Sequence, residues 1–161
     1  MILLPRGITS FEAGIVGAIF VVAGVLGAVI LPIMSDHFGK RISFLVVSII
    51  LLIPAYLGFT FVTNFVIIAI IAGIAGFFIM GVAPILFQHG SEVAYPVKEG
   101  TSLGMILLMG QISGALIVYL FEVLKGISGN VTLPMLCIVA ATIIELPIVI
   151  RMKESAFHIK A

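Results

Sequence analysis

The sequence predicts an all-α, polytopic membrane protein, and three observations carry that reading. Of the 161 residues, 62% are hydrophobic and only 9% charged, with a mean hydropathy of +1.39. A chain this poor in polar groups cannot cover a water-soluble core of its own size, so lipid must be most of its solvent. Its apolar residues fall into five runs, each near the roughly 20 residues a helix needs to cross bilayer hydrocarbon. Spanning strands would require alternating polarity and a closed barrel, and no such alternation is present.

The spans are expected at about 13–34, 42–60, 65–87, 96–124 and 133–150. In the first, Gly14, Gly17, Gly24 and Gly27 recur at helical spacing, so one side can approach a neighbouring helix closely. Pro54 interrupts the second, where a membrane helix tolerates a kink. Thr63 or Asn64 offers an N-cap for the third. That span holds Gly73, Gly76, Gly81 and Pro84, which allow it to bend as it reaches the polar segment 88–100.

The fourth span is expected to start ahead of its apolar part. Pro96 suits a first helical turn because its missing N–H is not needed there, and Glu99 would complement the positive end of the helix dipole. Gly100, Gly104, Gly110 and Gly114 give it two small-xxx-small pairs. Thr132 and Pro134 read as the capped start of the fifth span, and after Ile150 the chain turns polar.

Charge position matters more than the net charge of +1, which gives no reason to expect nucleic acid as a partner. The stretch Pro32–Arg41, PIMSDHFGKR, reads as a short loop between the first two spans. With that loop in the cytoplasm, six of the eight basic residues lie inside and only Arg6 and Lys125 outside. The positive-inside rule therefore favours an external N-terminus and a cytoplasmic C-terminus in the cell membrane. The opening residues carry no basic region ahead of their apolar ones, unlike a signal peptide, and read as the tail of a preceding helix.

Two motifs now resemble a known family. PIMSDHFGKR is similar to the loop signature of the major facilitator superfamily, G-x-L-A-D-R-x-G-R-R, with Asp36, Gly39, Lys40 and Arg41 on matching positions. It departs where Pro32 stands for Gly and His37 for Arg. The segment Gly81–Leu124 resembles the FLVCR-type branch, with its E-x-x-(Y/F)-P-V-x-E-G element and a following G-M-I-x-x-x-G-Q run. Glu92, Pro96, Glu99, Gly104, Gly110 and Gln111 fall on that pattern.

The resemblance implies a C-terminal half of a twelve-helix transporter. The spans would be helices eight to twelve, with the first helix of the six-helix half mostly missing and Met1–Gly7 its tail. It also implies that Asp36, Gly39, Lys40 and Arg41 form a gating loop that latches against the opposite half. An N-terminal half would then be supplied in cis or in trans. The FLVCR-type branch has been linked to choline-like cations and haem.

Polar groups within the spans are few enough to weigh singly. Gln111 needs hydrogen-bond partners at bilayer depth. The resemblance implies that it faces a small-molecule solute beside Gly110 and Gly114, while a bond to a neighbouring helix is the alternative. Ser113 is expected to bond back to its own helix. Glu145 is a candidate coupling group, although a site so near the interface can also simply reach water. Glu122 and Lys125 stand three apart and should pair.

His37, His89 and His158 read as loop or tail residues without a second ligand at metal spacing, so no metal or cofactor is expected. The spans hold no nucleophilic triad that would suggest an enzyme. Secondary transport of a small organic solute by alternating access is the function these observations favour. A non-transporting membrane subunit or an inactive fragment is the alternative.

Overall fold

A computed structural model describes residues 9–152 and Glu154. The expected tail Met1–Gly7, and with it Arg6, Lys153, Ser155, His158 and Lys160, lies outside the described residues. The fold is all-α: α1 (Ser10–Phe38), α2 (Arg41–Phe61), α3 (Phe65–Val93), α4 (Glu99–Ser128) and α5 (Thr132–Ile150). All five are long and apolar enough to cross a membrane. At 1.5 Å per residue, α1, α3 and α4 are roughly 43–45 Å long, so each is longer than the ~30 Å hydrocarbon core.

The main interface joins α1 to α3, with α2 lying against α3 and α5. Small residues make the α1–α3 approach feasible. A Cβ on Gly27 would run into the Phe77 carbonyl and one on Gly76 into the Phe20 carbonyl, while one on Gly81 would sit 2.7 Å from the Gly27 carbonyl oxygen. Residue numbers rise together along the two helices in these contacts, so α1 and α3 run parallel. Two buried clusters mark the seam: Val16, Ile68 and Ala72 toward one end, and Leu31, Leu45 and Ile85 toward the other.

Helix ends follow recognisable chemistry. Thr9 and Glu12 form a capping box, with the Thr9 backbone N–H donating to Glu12 Oε2 at 2.8 Å. Of the two caps expected for α3, Asn64 serves, its Oδ1 accepting from the N–H of Val66 at 3.0 Å and of Ile67 at 3.3 Å. For α5 the expected Thr132 cap is wrong. Thr132 is the first helical residue, and its N–H instead donates to Asn130 Oδ1 at 3.1 Å.

Three further expectations are corrected. The loop expected between spans ending at 34 and starting at 42 is shorter than that: α1 runs through Pro32 to Phe38, and only Gly39 and Lys40 separate it from α2. Gly39 ends α1 in the left-handed region, at φ 61°, where a residue without Cβ meets little strain. Likewise α3 continues to Val93, so His89 belongs to a helix and not to a loop, and His37 sits in the last turn of α1. Pro96 is not in the first turn of α4; it lies in the turn before Glu99, following a cis Tyr95–Pro96 bond.

Candidate functional site

Two clusters of polar side chains stand out, both near the end of the bundle where α1 and α3 finish and α2 begins. The first is centred on Arg41, whose position as the opening residue of α2 turns it inward, leaving it 1% exposed. Its Nη2 donates to Asp36 Oδ1 at 3.1 Å and lies 2.8 Å from Glu92 Oε1. Asp36 reaches it from the last turn of α1, and Glu92 from the last turn of α3. One guanidinium thus ties three helix ends together.

A third carboxylate completes this arrangement. Glu154, beyond α5, accepts the Ile42 N–H through Oε1 at 2.9 Å and so caps the start of α2. A negative group there also complements the helix dipole. The candidate gating residues are therefore divided: Asp36 and Arg41 meet, whereas Lys40 is exposed and Gly39 acts through its backbone.

The second cluster lines a cavity of about 480 Å³ between α3 and α4. Gln111 and Gly110 come from α4, His89 and Gly90 from α3, and Met152 from the segment after α5. Gly90 is needed for the approach, because a Cβ there would strike Ile106 Cδ1 of α4. His89 is 2% exposed and its Nδ1 has no hydrogen-bond partner among the described residues.

Other residues singled out in the sequence stand apart. Gly114 faces open space, Pro96 and Glu99 lie at the exposed start of α4, and Glu92 has joined the Arg41 cluster. Glu145 is exposed on α5, within electrostatic reach of the Tyr56 phenol on α2. Ser113 bonds back to the Gly110 carbonyl at 3.1 Å, and Lys125 pairs with Glu122 at 3.1 Å, both as expected. Toward the other end of the bundle an apolar cavity of about 750 Å³ opens between α1, α2, α4 and α5, with Gly17, Phe20, Tyr56, Phe121 and Met135 in its walls.

Sequence reasoning missed His89 and Glu154. His89 had a signal: it extends the stripe Ile68, Ala72, Ala75 and Ile85 by four residues, and Glu92 follows three later, so all belong to one inward face. Glu154 had none, since its partner Ile42 is 112 residues away.

No family model matches the chain. Among curated proteins, it is 31% identical to solute carrier family 49 member A3 of Xenopus tropicalis, over 75% of this chain and 26% of that protein. An uncharacterized MFS-type transporter of Caenorhabditis elegans is 30% identical over 90% of this chain and 26% of its own length. The choline/ethanolamine transporter FLVCR2 of Homo sapiens is 34% identical over 64% of this chain and 20% of that protein. The chain thus spans about a quarter of the length of these three relatives. With five bilayer-length helices and transporters for relatives, this multi-pass membrane protein is a homologue of the major-facilitator-type transporters and resembles their FLVCR-type branch.

Proposed function

We propose that the chain works as part of the C-terminal transmembrane domain of a secondary transporter, moving a small organic solute by alternating access. The observation that carries this is the state of α4. It buries only Ser102, yet it brings Gln111 and Gly110 to a cavity facing α3. A helix so bare, bearing an amide at mid-length, suits one wall of a solute pathway whose other wall is a separate helical unit. That unit is the N-terminal half, supplied in cis or in trans. The relatives named as choline/ethanolamine transporters make a small amino alcohol the solute of choice for this reading.

In this scheme Asp36, Arg41 and Glu92 lock the cytoplasmic ends of α1, α2 and α3 into one rigid piece, with Gly39 and Lys40 turned toward the opposite half. Gly114 and Glu99 lie on the same helix as Gln111, available to the partner unit, and Pro96 sets the entry to that helix. Glu145 is the candidate for ion coupling. The N-terminus is external and the C-terminus cytoplasmic, with the protein in the cell membrane. The role is transport and not catalysis.

The test is uptake of labelled choline and ethanolamine by cells expressing the protein in its native gene context. Saturable uptake that Gln111→Ala reduces at least tenfold supports the reading. Absence of uptake of either solute favours a non-transporting membrane subunit. For orientation, Ser128→Cys should react with an impermeant thiol reagent in intact cells and Lys98→Cys should not; the reverse pattern would overturn the topology.

A further inference from the structure

We infer that the second helical unit facing α4 is another copy of this chain, inserted in the same orientation, so that α4 of each copy lies against α1 of the other. This rests on the transport reading and names the partner that reading requires: the second copy takes, in trans, the place of the N-terminal half. Lipid does not suit the open face of α4. Gly100, Gly104, Gln111 and Ala115 follow one another along it at helical spacing, and Gln111 is exposed. An amide held against hydrocarbon leaves its hydrogen-bonding groups unmet, so protein or a solute pathway covers this stripe.

Shape and charge point to the same chain as the cover. Helix α1 turns Gly24, Gly27, Leu31 and Ser35 inward and leaves Val22, Val25, Val29 and Ile33 exposed as a ridge of branched side chains. Helix α4 offers a groove, where Gly100 and Gly104 have open space around them. Ile33 stands five residues before the end of α1 and Gly104 five after the start of α4, and both of those helix ends lie on one side of the bundle. Ridge and groove therefore meet at one depth. Lys40, exposed just past α1, then faces Glu99, exposed at the start of α4, and the neighbouring Lys98 faces the half-exposed Asp36. Because ridge and groove belong to one chain, a two-fold axis along the membrane normal repeats every such pair. A relative of matching size also occurs. An uncharacterized protein of Archaeoglobus fulgidus is 25% identical over 121 residues, which are 56% of it, whereas 125 residues are only 26% of the Xenopus protein. The archaeal relative is thus roughly half as long, the size of one helical unit.

The experiment uses membranes of cells expressing the protein in its native gene context, with Cys137→Ser as background and two tagged versions made together, one bearing Ile33→Cys and the other Gly104→Cys. Under mild oxidation the mixture should form a disulfide-linked dimer carrying both tags, at least about fivefold more than either version alone, because cysteines join only where their Cα atoms come within about 7 Å. Lys40→Glu or Glu99→Lys, added to both versions, should lower that yield about fivefold by setting like charges opposite each other, and the two together should restore it to within about twofold. Rescue by the double reversal separates contact between copies from a fault in folding. No mixed dimer from chains that run as a single species in detergent overturns the assignment, as does a yield indifferent to the charge reversals. Either result leaves the transport reading standing where labelled solute is still taken up. A mixed dimer that takes up no solute sinks the transport reading alone.

Discussion

Helices α3 and α4 are alike in length and in their spaced glycines, and opposites in the fold. They have 29 and 30 residues, and both carry glycines at helical spacing and an acidic residue near one end. Yet α3 buries Ile68, Ala72, Ala75, Gly76, Ile85 and His89, whereas α4 buries Ser102 alone. Gly76 and Gly81 of α3 admit the backbone of α1, but Gly100, Gly104, Gly110 and Gly114 of α4 meet nothing within 4 Å. Small-residue spacing therefore records a capacity for close approach, and a neighbour is required to use it. In α3 the neighbour is present in the chain. The unused stripe on α4 fits the proposed assembly with a second helical unit.

The sharpest way to break this contrast is through the acidic residues. Glu92 of α3 sits 2.8 Å from a guanidinium that is almost wholly buried, and the two side chains are 19% and 2% exposed. Arg41→Met would take the guanidinium away from both Asp36 and Glu92, and should cost about 3–5 kcal/mol. Denaturant titration of the detergent-solubilised protein measures it. A loss under about 1 kcal/mol would mean that water reaches the cluster and screens it.

Close approach supplies the second contrast. Gly27→Leu would drive a side chain into the Phe77 carbonyl of α3, where backbone cannot give way cheaply, and should cost about 3 kcal/mol or prevent folding. Gly104→Leu on α4 has open space around it and should leave the stability of the isolated chain within about 0.5 kcal/mol. If Gly104→Leu instead abolishes function while stability holds, the bare face of α4 is an interface.

These contrasts also show what was legible in the sequence. The existence of all five helices was plain, because apolar runs of bilayer length admit few alternatives. Their ends were not. Apolarity marks where hydrocarbon stops, whereas a helix stops where its last carbonyls find a cap, as α1 does at Gly39. Asp36 and Arg41 were singled out together by their signature, as a latch against an opposite half; that they meet each other was not read from it. That Glu92 completes the cluster was hidden, since it is 51 positions from Arg41 and its own motif pointed toward α4. His89 was misread because Gln88 and Gly90 made its surroundings look like a loop. The inward stripe of α3 was the better guide.

A gentler comparison concerns how α3 and α4 begin. Asn64 accepts two backbone N–H groups at the start of α3, while α4 starts at Lys98 with no side-chain cap. Asn64→Ala should cost about 1 kcal/mol, and Lys98→Ala close to nothing. Equal effects at both sites would show that tertiary contact, and not capping, fixes the start of α3.

The smallest effect belongs to the other ion pair. Glu122 and Lys125 of α4 meet at 3.1 Å, but their side chains are 62% and 37% exposed and stand three residues apart on one helix. Such pairs contribute about 0.2–0.5 kcal/mol, because water and side-chain entropy offset most of the attraction. Glu122→Gln should therefore shift stability by less than one-fifth of the Arg41→Met effect in the same titration. Glu122 also lines the apolar cavity between α1, α2, α4 and α5. A cost near that of Arg41→Met would mean that this cavity is dry and closed around the carboxylate, and α4 would then be packed on a face that the isolated chain leaves open.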